Sequence, residues 1–190
     1  MDGLRSQGEL AQALPARPLT VSRGALLVGG DDSRFRHLVH DLLAFSVRLE
    51  AVRAKFGAHI GLTGLQYTIL ISVRHLQGAD GVGVKALAEH IGLSGAFVTI
   101  ETGKLIRMGL LRKRANPDDR RRVLLSVTGE GEARLARLAP VQREINDAIF
   151  EPLDAARFAA LCDIAAALRR SSDRSLALSA YLLGTGEEAK

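Results

Sequence analysis

The residues best suited to chemistry lie in one stretch, residues 110–131, which reads LLRKRANPDDRRRVLLSVTGEG. It holds six basic side chains, Arg112, Lys113, Arg114, Arg120, Arg121 and Arg122, against two carboxylates, Asp118 and Asp119, an excess of four positive charges. The whole chain has 26 Lys and Arg against 21 Asp and Glu, a net charge of +5, so most of that charge is concentrated here. A local excess of one sign raises the potential and draws a polyanion. The stretch sets out through Leu110-Leu111-Arg112-Lys113-Arg114 and turns at Asn116-Pro117-Asp118-Asp119. It returns through Arg120-Arg121-Arg122-Val123-Leu124-Leu125-Ser126-Val127. Two strand-forming runs around an Asn-Pro-Asp turn predict a β-hairpin with a basic tip.

Other chemistries lack their parts. There is no Gly-rich phosphate loop, no pair of catalytic carboxylates in a cleft-forming context and no nucleophile elbow, so we expect neither an enzyme nor a cofactor. His37 and His40, three apart with Asp41 beside the second, could begin a metal site. No third ligand is placed by the sequence to complete it, and no metal is expected. These two histidines are expected near a subunit interface or lining a cavity, whereas His59, His75 and His90 fall near helix ends, where surface positions are common. Cys162 is the single cysteine, which excludes an internal disulfide framework and fits a reducing cytoplasm. Placed among Leu161, Ile164 and Ala165, it reads as a small buried thiol. A redox role would need an exposed, acidified thiolate.

The hairpin needs a frame to hold it. A length of 190 residues suits one domain, or one with extensions, and 47% hydrophobic residues can build a core. Trp is absent and aromatics are 4%, so that core draws on Leu, Ala, Val and Ile, and a chain rich in Ala and Leu favours helices. No apolar run approaches the ~18 residues that would span a bilayer, and the start of the chain lacks the pattern of a secretory signal. The expected location is cytoplasmic, with nucleic acid ahead of membrane as the acidic partner.

In order, residues 1–31 read as a largely irregular arm with a short helical turn at residues 9–14. The arm is either a loose tail or a segment packed on a partner subunit. Asp32 or Ser33 is placed to cap a long helix. Its Phe35, Leu38, Leu42, Phe45, Leu49, Val52 and Phe56 step by three and four, a heptad seam that Val39, Leu43 and Val47 broaden. That seam packs within one subunit or also against a second. Residues 57–61 end the helix. Thr63 and Gln66 form a capping box for the next helix, which carries Leu65, Ile69, Leu70, Val73 and Leu76. Residues 81–84 are extended and could pair with the hairpin. A short helix from Lys85, a turn at Gly92-Leu93, and a helix over residues 95–108 capped by Ser94 make a helix-turn-helix, with Gly109 suited to the position just past its end. Followed at once by a hairpin, this is a winged helix. Thr128 caps a further helix to about Phe150, with a bend at Pro140 and a stripe of Leu135, Leu138, Val141, Ile145 and Ile149. Asp154 caps the last, carrying Phe158, Leu161, Ala165 and Leu168. An interruption is expected at Ser171-Ser172-Asp173, before residues 176–183. The fold class is mainly α with a small β-hairpin wing.

Four pieces in this order resemble the MarR family of bacterial transcription regulators. Leu62-Thr63-Gly64-Leu65-Gln66-Tyr67-Thr68-Ile69-Leu70 is similar to the family's LTxxQfxvL opening. Val84-Lys85-Ala86-Leu87-Ala88 and Leu93-Ser94 are similar to its VxxLA…LS helix-turn-helix. Leu105-Ile106-Arg107-Met108-Gly109-Leu110-Leu111 is similar to LexxGLv. Asn116-Pro117-Asp118-Asp119-Arg120-Arg121-Arg122, with Leu125-Ser126-Val127-Thr128-Gly129-Glu130-Gly131, is similar to DPxDRR…LxLTxxG. The motifs cover residues 62–131 and the layout about 35–170. The resemblance implies a two-fold homodimer in which residues 32–62 and 128–183 form a helical dimerisation region. Residues 63–127 are then the winged helix-turn-helix that binds double-stranded DNA at a pseudo-palindromic operator. It also implies a small-molecule effector, an aromatic acid or its thioester, that releases a repressor.

On that reading Arg121 enters the minor groove, held by Asp119. The two are two apart, so on an extended segment they share a side. Arg120 and Arg122 then face the other way, toward phosphates or solvent, and Arg114 joins the basic surface. In the major groove the start of the recognition helix leads. Ser94 caps and can meet a phosphate or a base. Ala96 and Thr99 offer contact to a thymine methyl, and Thr99 can also hydrogen-bond a base. Lys104 and Arg107 suit phosphates, and Phe97 either packs inward or touches DNA. Ile100 stands where the family commonly has Arg, and Glu101 where an apolar residue is common, which leaves base readout sparse. Arg34, His37, His40, Tyr67 and Arg74 are the polar groups that could line a ligand cavity. The alternative function is a winged helix used for protein contact without specific DNA binding.

Overall fold

The computed structural model describes residues 17–117, 119 and 121–184. The expected helical turn at residues 9–14, and the wing residues Asp118 and Arg120, lie outside the described residues. The chain divides into two compact units, Met1–Ile71 and Ser72–Lys190.

The first unit is built on α1 (Ser33–His59). Asp32 occupies its N-cap position, but its side chain makes no capping bond. The Asp32 Oδ2 accepts both the N–H and the hydroxyl of Thr20 at 2.7 Å, and Oδ1 accepts the Arg36 Nε at 2.9 Å. Arg36 also donates to the Pro18 carbonyl at 2.7 Å. Asp31 takes over at the helix start, its Oδ1 accepting the Ser33 N–H at 2.6 Å. Asp32 is 3% exposed. Hydrogen bonds to its charged form, first from Arg36 and then from Thr20, hold its carboxyl well below the usual carboxylate range. The arm is therefore tied down over its described length, with a 3-10 turn at Gly24–Leu26 and a bridge between Val28 and Asp31.

Only Phe56 and Gly57 of α1 are buried. The seam is instead open at its first half, where Leu38, Leu42, Leu43, Phe45 and Val47 are exposed. A Cβ on Gly57 would lie 2.7 Å from the Thr63 carbonyl oxygen, so the turn into the next helix passes too close for any side chain. That helix, α2 (Gly64–Leu76), opens with the predicted reciprocal cap: Thr63 Oγ1 accepts the Gln66 N–H, and Gln66 Oε1 accepts the Thr63 N–H, both at 3.1 Å. Tyr67, Ile69 and Leu70 are buried, and the Tyr67 ring meets Phe56 edge-on with centroids 5.9 Å apart.

The second unit contains β1 (Val82–Gly83), α3 (Val84–Ile91), α4 (Gly95–Arg107), β2 (Leu111–Ala115), β3 (Val123–Val127), α5 (Gly129–Phe150) and α6 (Ala155–Leu183). The sheet is antiparallel in the order β1-β3-β2, with Leu111 opposite Val127, Ala115 opposite Val123 and Val82 opposite Leu125. The expected extended piece does pair with the hairpin, on its returning strand. Leu87, Val98, Leu105, Leu110, Leu111, Leu125, Leu135 and Leu138 are buried. Thr128 joins wing to helix. Its hydroxyl donates to the Gly109 carbonyl at 2.6 Å and accepts the Gly131 N–H at 3.1 Å, while its own N–H donates to the Leu110 carbonyl at 3.0 Å.

One helical expectation holds in its extent and another changes. Pro140 lies inside α5, which continues past it to Phe150 as one element. The interruption expected at Ser171-Ser172-Asp173 does not occur, and α6 runs unbroken for 29 residues. The hydroxyls of Ser171, Ser172, Ser175 and Ser179 donate to carbonyls three or four residues back, at 3.0, 2.7, 3.0 and 2.8 Å, so the polar run is satisfied inside the helix. Nothing in α6 is buried. Cys162, expected to be buried, is exposed, because the neighbouring Phe158, Leu161, Ile164 and Leu168 are themselves uncovered in the single chain. Among the described residues no single helix is long and apolar enough to cross a membrane.

Candidate nucleic-acid interface

The helix-turn-helix is made by α3 and α4. Gly92 ends α3 at φ +70°, the left-handed conformation that lets the chain turn within two residues. Ser94 then caps α4, its Oγ accepting the Phe97 N–H at 3.3 Å. The buried side of α4 is Val98, Glu101, Thr102 and Leu105. Helical spacing places Ala96, Ile100, Gly103 and Arg107 on the opposite side, with Thr99 on one flank and Phe97 and Lys104 on the other. Phe97 is 40% exposed and Ile100 58%. Of the two places open to Phe97, the structure puts it on the outward side.

Before Arg107, the polar side chains of α4 are already engaged. Thr99 donates its hydroxyl to the Gly95 carbonyl at 2.8 Å, and Thr102 donates to the Val98 carbonyl at 2.8 Å. Glu101, which stands where the family commonly has an apolar residue, is 7% exposed. Its carboxylate lies 2.6 Å from the Lys104 Nζ, so the cation expected to meet a phosphate is paired within the helix.

The wing is shorter in strand and longer in turn than the sequence implies. The tip closes through the Asn116 N–H to the Arg122 carbonyl at 2.9 Å and the Arg122 N–H to the Asp119 carbonyl at 2.8 Å. Asp119 and Arg121 therefore meet across a turn, not along an extended strand. The Asp119 Oδ1 accepts the Arg121 N–H at 3.1 Å and lies 3.5 Å from the Arg121 Nε. Strand alternation would turn Arg122 away from Asp119. Instead its Nε lies 3.2 Å from the Asp119 Oδ2, because the turn folds both arginines toward one carboxylate. The Arg121 side chain is 95% exposed and that of Arg122 77%. A cleft of about 550 Å³ lies behind the tip, lined by Lys85 and Glu89 of α3 with Asn116, Arg121 and Arg122.

At the base of the wing, Arg112 Nε donates to Ser126 Oγ at 2.9 Å, and the Arg114 guanidinium donates to the carbonyl of Asp80 at 2.8 Å and to its carboxylate at 2.9 Å. Sequence reasoning misses Asp80, since an isolated loop aspartate 34 residues from its partner gives no local signal. It misses Gln77 too, whose Oε1 accepts the Val127 N–H at 2.8 Å and satisfies the end of β3.

Residues 60–122, which contain α2, the helix-turn-helix and most of the wing, match the model of the MarR family. Over this segment the winged helix matches the MarR family. The chain is 28% identical over 112 residues to an uncharacterised helix-turn-helix transcriptional regulator, YhbI, of Bacillus subtilis, a match covering 59% of this chain and 71% of YhbI. It is similar in structure to Bordetella bronchiseptica BpsR, whose DNA binding is regulated by 6-hydroxynicotinic acid, with 26% identity, a TM-score of 0.54 and coverage of 72% and 98% of the two chains. It shares its fold with an E. coli MarR variant complexed with operator DNA, at 18% identity, a TM-score of 0.56 and coverage of 72% and 94%. The fold is that of MarR-family transcription regulators.

The five ligand-cavity candidates are dispersed in character. Arg34, His37 and His40 are exposed on α1. Tyr67 is 1% exposed and packed against Phe56. Arg74 lies 3.0 Å from Glu132 through its Nε. Among the described residues no group of three or more His, Cys, Asp or Glu is placed to hold a metal ion. His75 and His90, which read as separate surface residues in the sequence, lie with their ring centroids 5.8 Å apart and their planes tilted by 37°.

Proposed function

We propose that the protein is a dimeric, sequence-specific DNA-binding transcription regulator, a cytoplasmic repressor released by a small aromatic acid or its thioester. The observation that carries this reading is the wing tip: Arg121 projects almost wholly into solvent beside a largely exposed Arg122, and one carboxylate lies against both. An exposed guanidinium at the end of a narrow hairpin has the reach and charge for a minor groove, where narrow width deepens the negative potential. Ser94, Ala96, Thr99 and Arg107 lie on the exposed side of α4 and suit the adjoining major groove, with Arg112 and Lys113 next to it in sequence.

Dimerisation is supported by uncovered apolar surface. Leu38, Leu42, Leu43 and Val47 of α1 are exposed, as are Phe158, Leu161, Ile164 and Leu168 of α6. Apolar patches of this kind mark association surfaces. A two-fold dimer presents two winged helices to half-sites ~34–36 Å apart, one turn of DNA. The acid-ligand reading is supported by the regulation of BpsR by 6-hydroxynicotinic acid and by the exposed row of hydrogen-bond donors Arg34, His37 and His40 on α1.

A shift assay of the parent beside Arg121→Ala, on duplexes selected from a random library, tests the DNA reading. The parent selects and retains a duplex, and Arg121→Ala weakens it. Failure of the parent to bind any duplex would leave the protein-contact reading in its place. A thermal-shift screen of aromatic acids and thioesters tests the effector. A true inducer binds the free protein more tightly than the DNA-bound protein and by reciprocity loosens DNA; a stabilising ligand that leaves DNA affinity unchanged refutes the switch.

A further inference from the structure

We infer that the recognition helix reads thymine methyl groups, through Ala96, Phe97 and Ile100, instead of reading bases by hydrogen-bonded side chains. The inference rests on the DNA-binding reading and specifies what the major-groove surface recognises.

Direct readout by hydrogen bonds needs Arg, Lys, Asn or Gln free to reach base edges. The first three turns of α4 hold none of these that is uncommitted. Thr99 and Thr102 spend their hydroxyl protons on helix carbonyls. Ser94 Oγ is occupied as the cap, accepting the Phe97 N–H. Glu101 faces the buried side and carries Lys104 with it.

What remains outward is apolar. Ile100 is 58% exposed at the centre of the outward side, Phe97 40% on its flank, and Ala96 one turn before Ile100. Gly103 follows on the same side. A Cβ there would meet nothing nearer than the Arg107 Nη1 at 3.7 Å, so the helix surface is flat at that point and the guanidinium folds back over it. Glycine inside a helix costs about 1 kcal/mol, a cost accepted where another surface must approach closely.

The occupant follows from charge. The apolar patch is continued by Arg107 on the same helix and by Arg112, Lys113 and the wing arginines after it. A protein surface would have to be both apolar and acidic to match. The major groove at thymines offers that combination, since C5-methyl groups project between two rows of phosphates.

Replacing thymine by uracil removes the methyl and leaves the hydrogen-bonding pattern of the base unaltered. Each methyl buried against Ile100 or Phe97 is worth about fourfold in Kd, and a symmetric pair in two half-sites about fifteenfold. The experiment takes the full chain, selects duplexes from a random library, and measures Kd for the selected duplex in thymine and uracil forms. The inference expects at least a tenfold weakening with uracil, and expects the double variant Ile100→Ala with Phe97→Ala to lose most of that difference, each single variant only its own share. Ile100 is 58% exposed and Phe97 40%, so a thermal midpoint is measured for each variant and binding is compared below it. Equal binding of thymine and uracil forms by the parent overturns the inference and leaves DNA binding intact. Absence of any selected duplex overturns the DNA-binding reading, and this inference with it.

Discussion

The carboxylate of Asp119 accepts the backbone N–H of Arg121 at 3.1 Å and lies 3.5 Å from that residue's own Nε. One side chain thus holds both the backbone and the guanidinium of its neighbour two positions on, and the same carboxylate reaches Arg122 at 3.2 Å. An ion pair this exposed adds little stability, about 0–1 kcal/mol. Its value lies in aim. Asp119→Ala should leave the urea midpoint nearly unchanged. On binding it should keep affinity for random duplex within about threefold, because the backbone charge attraction persists, and reduce the preference for a selected duplex. A variant that keeps the full preference would show that Asp119 orients nothing of consequence.

The joint between wing and α5 is close-packed at Gly131. A Cβ there would lie 2.5 Å from the Leu110 carbonyl oxygen and 2.6 Å from the Val127 Cγ1. Both neighbours belong to the base of the hairpin, which cannot yield without shifting the wing. Gly131→Ala should cost about 1–3 kcal/mol, as overpacking does, read as a lower urea midpoint. An unchanged midpoint would contradict the close approach.

Asp32 makes a prediction in pH. Its folded-state pKa is lowered by Arg36 and Thr20. The stabilisation it gives the arm is therefore complete above the unfolded value of about 4, and is lost as pH falls below that toward the lower folded value. The Thr20 amide resonance should hold steady from neutral pH to about 4 and move only below it. A Thr20 shift centred near neutral pH would exclude the Asp32 clamp as its cause, and Asp32→Asn should weaken the arm's attachment wherever the carboxylate is ionised.

The exposed stripe of α1 tests association. Leu42 and Leu43 are 47% and 58% exposed in the single chain. If a second subunit covers them, Leu42→Glu with Leu43→Glu buries two carboxylates without partners, a heavy penalty. Sedimentation equilibrium should find the parent as two chains and the variant as one. A parent that sediments as one chain, or a variant that stays paired, would contradict the dimer.

What the sequence discloses follows the range of its signals. Ser94, Thr128 and Asp154 cap as expected, and Thr63 with Gln66 forms its box, because each cap closes within three residues. The hairpin and its basic tip are legible from strand runs around one turn. Signals that depend on distant partners are not. Asp80 holds Arg114 across 34 residues, and Asp32 gives up its capping role to Thr20 across 12. The run of serines in α6 reads as a break because the back-bonding that absorbs their hydroxyls is visible only in the helix. Cys162 reads as buried on the strength of apolar neighbours, which are themselves uncovered in one chain. Strand alternation assigns sides to the tip arginines, but that rule ceases at Ala115, where β2 ends.

Binding of DNA by the wing through Arg121 is read from the salt dependence of Kd. The parent and Arg121→Ala would be titrated with a selected duplex over a range of salt concentrations. Each neutralised phosphate contributes about 0.9 to the slope of log Kd against log salt. The parent should show a steep slope and the variant one lower by about two, since each wing of a dimer would neutralise one phosphate fewer. A parent slope near zero, or the same slope and affinity in the variant, would contradict it.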